Sequence, residues 1–452
     1  MKQTLSRKDT FFIGSMLFGL LFGAGNLIFP VHMGQEAGAA VWSANLGFLL
    51  TAIGLPFLSI MAIGFSGGKG VFHLASRVTK PFAYFFTVAL YLVIGPFFAM
   101  PRLATTSFEI AFAPYLSDAM KMPALALYSV IFFGLSYVLS KKPGKLVDII
   151  GKYINPIFLL VLGVVLLFVI INPMAPVSGA AVGEAYQTAP FLKGFIEGYN
   201  TLDVLAGLAF GIIVVTALKQ KGVEQPKFFA IEMMKSGLIA VGLMGLIYTL
   251  LAYAGATSLG GFAISENGGI ALGQITAHYL GALGSVILAL IVFLGCFKTC
   301  IGLTTACSET FEELFPSKPY RFYLLVFSVL PAIIANVGLT QIIQLSIPVL
   351  MFIYPLAIVL VLLGIASAWL PLSQKVYQAV TFFTLLAAIV DGLNATPALI
   401  QDLAPVQSLI QLAAKVLPLF DLGMGWLCPA LVGLVVGLVW QQVSKTTVVV
   451  DY

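Results

Sequence analysis

Charged residues are scarce in this chain, and their scarcity excludes most classes of soluble protein. Asp, Glu, Lys and Arg make up 9% of the 452 residues, whereas hydrophobic residues make up 60%. A typical soluble domain carries about 25% charged residues. The mean hydropathy is +1.04. The sequence therefore predicts an all-α, polytopic membrane protein that lies in a lipid bilayer, and it gives no sign of nucleic-acid binding.

Catalytic and metal-binding patterns are also missing from the sequence. The four cysteines form no C-x-x-C pair, and Cys296, Cys300 and Cys307 share one apolar segment, as packing residues do. None of the three histidines falls in the middle of a predicted span, and there is no phosphate-binding loop. We therefore expect no enzyme activity, no cofactor and no metal beyond a coupling Na⁺. Because nothing predicts ATP binding, an ion gradient must drive any transport.

Twelve apolar segments have about the length of a membrane-crossing helix, which takes about 20 residues. They cover approximately residues 10–33, 40–65, 80–105, 123–140, 146–171, 194–218, 227–257, 281–308, 320–338, 340–366, 375–398 and 423–443, and we number them spans 1 to 12. Lys and Arg collect in cytoplasmic loops. Eighteen of the 23 basic residues fall on the side that holds both termini, and four fall on the other side. We expect both termini in the cytoplasm and a single transmembrane domain over residues 1–452.

Two spans are interrupted near their centres. Span 1 contains FGAGNLIFP at residues 22–30, and span 6 contains GYNTLD at residues 198–203. Gly and Pro weaken the helical hydrogen-bond ladder, and broken backbone survives at membrane depth where it lines a cavity or is covered by protein. Matching interruptions five spans apart are typical of transporters built from inverted repeats. We expect the repeats at approximately 10–171 and 194–366, with additional helices over 375–443.

The interruption in span 1 has both polarities that an amino-acid zwitterion needs. The N-terminus of a half-helix offers free N–H groups to a carboxylate, and Gly23, Ala24 and Gly25 allow a ligand to approach that backbone closely. Asn26 adds an amide. The carbonyl groups that end the preceding half-helix suit an amine or a metal cation. We therefore predict substrate binding at residues 23–26.

Span 6 supplies further polar candidates for the substrate site, which are Tyr199, Asn200, Thr201 and Asp203. An ionisable side chain inside a span is a functional candidate because its insertion into the membrane is costly. Two roles for Asp203 stay open. It could balance the substrate ammonium or a coupling cation, or it could cap the second half-helix of span 6.

Span 8 carries the candidates for cation binding, which are Lys298, Thr299, Thr304 and Thr305. Hydroxyl oxygens suit an alkali cation, but a helical Thr also bonds back to the carbonyl four residues earlier. Lys298 could be a fixed positive charge, an amine that exchanges a proton, or a side chain that extends to the membrane surface.

A charged pair marks the end of span 3. Arg102 and Glu109 are seven residues apart, so they share one helix face. They could form part of an outer gate or an anchor at the membrane interface.

Seven motifs together resemble the bacterial branched-chain amino acid:cation symporter family over essentially the whole chain. They are GAGNLIFP (23–30), IGLPFLS (53–59), GPFFAMPRLATTSFE (95–109), KPGKLVD (142–148), GYNTLDVLAGLAFG (198–211), CFKTCIGLTTACSETF (296–311) and IPVLMFIYP (347–355). This family is similar to the wider amino acid–polyamine–cation superfamily. The resemblance implies the LeuT-like fold, with two inverted repeats of five helices and broken helices 1 and 6.

The resemblance also implies a function. It implies secondary active uptake of leucine, isoleucine and valine, coupled to Na⁺ or H⁺, across the bacterial cytoplasmic (inner) membrane. The alternative is a LeuT-like symporter of another small zwitterionic or apolar solute. In that fold the carboxylate rests on the helix 1 backbone, which carries over to Ala24 and Gly25, with Asn26 as a cation ligand.

A second cation site is implied between helices 1 and 8, and two registers of helix 8 are open. One register pairs the Gly19 and Phe22 carbonyls with Thr304 and Thr305. The register one turn earlier brings Lys298 and Thr299 to the same place. In that case an ammonium group replaces a hydroxyl, which disfavours Na⁺ and favours H⁺.

Overall fold

Helix occupies all twelve predicted spans in the computed structural model, which describes residues 4–141, 155–223 and 225–444. The KPGKLVD motif and the first part of span 5 lie outside the described residues. In chain order the helices of the spans are Arg7–Leu21 with Ala24–Ala37, Val41–Leu49 with Leu55–Phe65, Lys80–Leu92 with Ala99–Ala111, Asp118–Ser140, Asn155–Ile171, Pro190–Glu197 with Asp203–Gln220, Pro226–Ser258, Gly268–Leu314, Tyr320–Ile334, Leu339–Ala366, Gln374–Asn394 and Leu427–Val443. Gly70–Ser76 and Ala404–Val416 are helices of the connections.

The length and composition of these helices fit a membrane protein. Within the described residues, nine helices are long and apolar enough to cross a membrane. Pro156–Ile171 and Leu427–Val443 are apolar but shorter. The second half of span 1 continues into span 2 as one stretch, Gly25–Phe65. These helices therefore account for the twelve predicted spans.

The helical ladder breaks where the sequence predicts it in spans 1 and 6. In span 1, Phe22 (φ −76°, ψ 93°) and Gly23 (φ −113°, ψ −156°) are extended between the two half-helices. In span 6, the turn Gly198–Thr201 leads to Leu202, whose φ of 66° lies in the left-handed region. A left-handed conformation costs a non-glycine residue about 1–2 kcal/mol. The surrounding packing must therefore hold Leu202 in this conformation.

The packing of the spans repeats with a shift of five. Span 1 packs against span 7, and span 6 packs against span 2, so that exchanging span 1 with span 6 and span 2 with span 7 converts one pair into the other. Spans 3 and 8 pack against each other, as do spans 4 and 9, and each of these pairs maps onto itself. Two repeats of five helices related by a pseudo-twofold axis have this pattern.

Glycines bring the broken helices very close to their partners. A Cβ atom at Gly34 in span 1 would lie 2.0 Å from the Ala252 carbonyl oxygen of span 7. A Cβ atom at Gly194 in span 6 would lie 2.0 Å from the Ala44 carbonyl oxygen of span 2. Small residues at helix contacts allow such approach in membranes. These contacts fix one half of each broken helix and so determine where its break lies.

Candidate functional site

The breaks of spans 1 and 6 face each other in the interior. A Cβ atom at Gly25 would lie 3.5 Å from the Cα atom of Thr201. The Gly23 N–H donates to Asn26 Oδ1 at 2.6 Å, and Asn26 Nδ2 donates to Asp203 Oδ2, also at 2.6 Å. The Asn26 carboxamide therefore closes the break in span 1 and ties it to span 6.

Tyr248 of span 7 completes this polar cluster. Its hydroxyl donates to Asp203 Oδ2 at 3.0 Å and accepts a hydrogen bond from Asn26 Nδ2. All three side chains are buried. Asp203 is the first residue of the second half-helix of span 6, and its own N–H donates to Thr201 Oγ1 at 3.4 Å. A negative charge is favourable at that helix end.

A small cavity of about 40 Å³ lies between the two breaks and spans 3 and 8. Its polar lining comes from Gly23, Gly25, Asn26, Arg102, Asn200, Thr201 and Thr299. The remaining lining is apolar and comes from Leu20, Leu21, Ile94, Ala99, Leu103, Leu202, Ala206, Phe210 and Leu303. An apolar pocket with a few convergent polar groups is the usual form of a small-molecule site. Asp203 contacts Asn26 but is not among the cavity-lining residues that the structure describes.

Arg102 belongs to this interior site rather than to the membrane interface. Its side chain is 3% exposed. One terminal nitrogen donates to the Asn200 carbonyl oxygen at 2.8 Å, and the other donates to the Ser346 hydroxyl of span 10. Burial overturns the anchor alternative for Arg102. Glu109 is half-buried, and its carboxylate accepts from Asn267 at 3.0 Å.

In span 8, Thr299 is the hydroxyl that reaches span 1. Thr299 Oγ1 lies 3.3 Å from the Phe22 carbonyl oxygen and 3.2 Å from the Gly295 carbonyl oxygen, and these two acceptors share its single proton. Thr304 instead donates to the Cys300 carbonyl oxygen at 2.8 Å, and its Oγ1 lies 3.3 Å from the Ser136 hydroxyl of span 4. Thr305 is buried beside Tyr320. The contact with span 1 thus follows the earlier of the two predicted registers.

Lys298 is fully buried between spans 1 and 5. Its ammonium nitrogen lies 4.6 Å from the centre of the Phe158 ring and 5.3 Å from the centre of the Phe18 ring. Such cation–π contacts stabilise a charge more strongly where water is excluded. Gly19, the predicted carbonyl ligand, is buried in the first half-helix of span 1, three residues before Phe22.

The other predicted site residues of span 6 divide into two groups. Asn200 and Thr201 line the cavity, and Asn200 Nδ2 also donates to Glu197 Oε1 at 3.0 Å. Tyr199 does not line it; its ring stacks on that of Tyr354 with the ring centres 4.4 Å apart. Ala24 is the first residue of the second half-helix of span 1.

Sequence reasoning missed two partners at this site, Tyr248 and Ser346. A Tyr or a Ser in an apolar segment carries no signal of its own, because both residues often serve only packing. Arg102 did carry a signal, since an ionisable residue in a span is a functional candidate. Its place near the end of span 3 instead predicts part of an outer gate or an anchor at the membrane interface.

The comparisons with known proteins agree with this architecture. Residues 6–444 match the family described as "Branched-chain amino acid transport protein". The chain belongs to this family. It is 43% identical to the branched-chain amino acid permease BrnQ of Lactobacillus delbrueckii subsp. lactis, with 98% of this chain and 99% of that protein covered. It is 41% identical to the permease BrnQ of Bacillus subtilis (strain 168), with 97% and 98% covered.

The fold resembles that of a solved transporter of another family. Mhp1, a nucleobase-cation-symport-1 family transporter solved in a closed conformation with bromovinylhydantoin bound, superposes with a TM-score of 0.58 at 12% sequence identity. The alignment covers 96% of this chain and 93% of Mhp1. The predicted LeuT-like fold with broken helices 1 and 6 is therefore confirmed.

Proposed function

We propose that this protein is a secondary active transporter that takes up leucine, isoleucine and valine across the bacterial cytoplasmic membrane, driven by a Na⁺ or H⁺ gradient. Transport of branched-chain amino acids is what the names of its relatives describe. The excess of Lys and Arg on the side of the termini supports an orientation with both termini in the cytoplasm. Transport rather than catalysis is the activity that the site supports.

One observation carries the proposal: two helix breaks meet at a cavity whose other lining residues, apart from Arg102 and Thr299, are apolar. The substrate carboxylate would accept hydrogen bonds from the N–H groups of Ala24 and Gly25, where the second half-helix of span 1 begins. A branched side chain would contact Leu103, Phe210 and Leu303. One methylene is worth only about 1–3 kcal/mol in such a pocket, so we expect the three substrates to compete with one another.

The remaining polar groups would hold the two breaks in position around the substrate. Asn26 and Asp203 would keep the breaks together, and Asn26 can still reach the substrate because it lines the cavity. Arg102 would fix the unwound turn of span 6 through the Asn200 carbonyl. Tyr199 would stabilise this turn by stacking its ring on that of Tyr354.

The coupling cation would bind next to the break of span 1. The Gly19 and Phe22 carbonyls, Asn26, Thr299 and Lys298 are the groups proposed for it. The contact between Thr299 and Phe22 favours the register in which Lys298 takes the position of a second hydroxyl. A positive charge there disfavours Na⁺, so we favour H⁺ as the coupling ion; Thr304 and Thr305 would then have a structural role.

The test of the proposal is uptake of labelled leucine by proteoliposomes under separate Na⁺ and H⁺ gradients. We expect accumulation that collapses with the gradient and is blocked by excess isoleucine or valine, but not by excess lysine. Gly25→Leu should abolish uptake because it fills the space beside Thr201. Gly134→Leu is the matched control, since nothing lies within 4 Å of a Cβ atom at that exposed position. Failure to accumulate leucine under either gradient would refute the proposed function.

The identity of the cation is tested at Lys298. Lys298→Thr places a hydroxyl one residue before Thr299 and removes the ammonium group. We expect the variant to lose stimulation by a pH gradient and to gain stimulation by Na⁺. If coupling is the same as in the parent protein, Lys298 has a structural role.

A further inference from the structure

Span 11, which lies outside the two repeats, contains a buried carboxylate that the proposed transport site does not use. Asp391 is 2% exposed. Within residues 4–141, 155–223 and 225–444, neither of its carboxylate oxygens has a hydrogen-bond partner of good geometry. Buried polar atoms are rarely left unpaired, so each case calls for an explanation such as a bound proton, ion or water.

The groups around Asp391 come from the start of span 12, just before its helix Leu427–Val443. Gly425 lies directly against the carboxylate, since a Cβ atom there would be 2.8 Å from Asp391 Oδ1. The N–H groups of Gly425 and Trp426 are close to the carboxylate. The Trp426 side chain is 3% exposed, and its indole nitrogen also has no partner of good geometry among the described residues.

This polar pocket continues to the break of span 6. The Tyr199 hydroxyl lies beside the Trp426 indole, and the Tyr199 ring stacks on Tyr354. The Tyr354 hydroxyl lies beside the backbone of Val204, in the first turn of the second half-helix of span 6. Asp391 is thus connected through Gly425 and Trp426 to Tyr199, which lies in the span 6 break, without passing through the substrate cavity.

The chemistry of the pocket favours a proton as its occupant. An ionised carboxylate that is buried without hydrogen bonds of good geometry is destabilised, and protonation removes this cost. Metal ions such as Na⁺ need several oxygen ligands. The neighbours of Asp391 are mostly N–H groups and carbon, with the Tyr199 hydroxyl further away. Tyr199 is also the titratable group that faces Asp391 from span 6; Gly425, Trp426 and Phe420 carry no charge.

We propose that Asp391 is a second proton site, separate from the substrate cavity, whose protonation state controls the position of the span 6 break. This inference rests on the proposed transport function. Each cycle would form one O–H bond at Asp391 with a proton from water on one side of the membrane. The same bond would break on the other side, with the proton returned to water, so that no other reactant is needed.

The test separates proton coupling from substrate exchange. Proteoliposomes with the parent protein and Asp391→Asn are assayed for leucine accumulation under a pH gradient and for leucine counterflow without any gradient. We expect Asp391→Asn to retain counterflow and to lose accumulation, because Asn cannot exchange a proton. Asp391→Glu keeps the carboxyl group and should retain both activities. Asp421→Asn, at an exposed position in the same connection to span 12, is the matched control and should behave like the parent protein.

Three outcomes would overturn the inference. The first is pH-driven accumulation by Asp391→Asn at the parental level. The second is loss of counterflow along with accumulation, which would give Asp391 a structural role. The third is a parent protein that accumulates leucine under a Na⁺ gradient alone. This last result would leave the proposed transport function intact, whereas absence of leucine transport in the parent protein would refute the transport function itself.

Discussion

Asn26 and Asp203 connect the two broken helices directly, because the carboxamide in span 1 donates a 2.6 Å hydrogen bond to the carboxylate in span 6. The same carboxamide accepts the N–H of Gly23, which the break in span 1 leaves without a helical partner. One side chain therefore satisfies the backbone of one break and fixes its distance from the other. The substrate cavity lies on the far side of this contact, so its shape depends on it.

Asp203→Asn should lower leucine transport about 10- to 100-fold while the protein still inserts into the membrane. An amide oxygen accepts more weakly than a carboxylate oxygen, so the hydrogen bonds from Asn26 and Tyr248 to position 203 would be weakened. A hydrogen bond to a charged group contributes about 1.5–3 kcal/mol, which corresponds to a loss of about 10- to 100-fold. Counterflow of labelled leucine measures the effect. Asp402→Asn, at an exposed position, is the control, and parental counterflow in Asp203→Asn would contradict the assignment.

Arg102→Lys should impair transport even though the charge is kept. The guanidinium group of Arg102 contacts the Asn200 carbonyl and the Ser346 hydroxyl with two different nitrogens, and one ammonium group cannot span both positions. We expect the apparent affinity for leucine to fall about tenfold or more, as for the loss of one charge-assisted hydrogen bond. The affinity is read from the concentration dependence of counterflow. The exposed Arg321→Lys is the control; equal affinities in the two variants would remove Arg102 from the site.

The fold follows from features that are local in the sequence, and so it could be predicted. Glycines and polar residues in the middle of apolar segments located both breaks, because a break is a property of one helix. The register of span 8 is different. Thr299 and Thr304 both have plausible surroundings in the sequence, and the choice between them depends on the rotation and height of span 8 relative to span 1. Contacts between residues far apart in the sequence set this rotation and height, so no single stretch of the sequence predicts them.

Arg102 and Asp391 illustrate a second limit of the sequence. Both lie near the ends of predicted spans, where a charged side chain can extend to water or turn into the protein. A charged side chain that extends to water and one that turns into the protein give the same sequence pattern. In the structure the burial of these side chains, 3% and 2% exposed, decides the question.

Thr299→Val should weaken coupling far more than Thr304→Val does. Valine has nearly the shape of threonine, so each substitution removes one hydroxyl at little steric cost. At position 299 the lost hydroxyl contacts the Phe22 carbonyl at the break, whereas at position 304 it contacts Cys300 and Ser136 away from span 1. The measurement is the ratio of gradient-driven accumulation to counterflow for each variant. A larger loss in Thr304→Val would instead support the later register of span 8.

Gly34→Ala tests whether the close contact between spans 1 and 7 holds the break in position. The added methyl group would lie 2.0 Å from the Ala252 carbonyl oxygen, and because that atom belongs to the backbone, the two helices must separate. Overpacking of this kind costs about 1–3 kcal/mol, so we expect a lower Tm of the purified protein in detergent and slower leucine counterflow. Gly242→Ala in span 7 is the matched control, because nothing lies within 4 Å of a Cβ atom there. Alanine is also the better helix former, so Gly242→Ala should be neutral or slightly stabilising. If both variants keep the parental Tm, spans 1 and 7 can separate without cost, and Gly34 does not determine where the break lies.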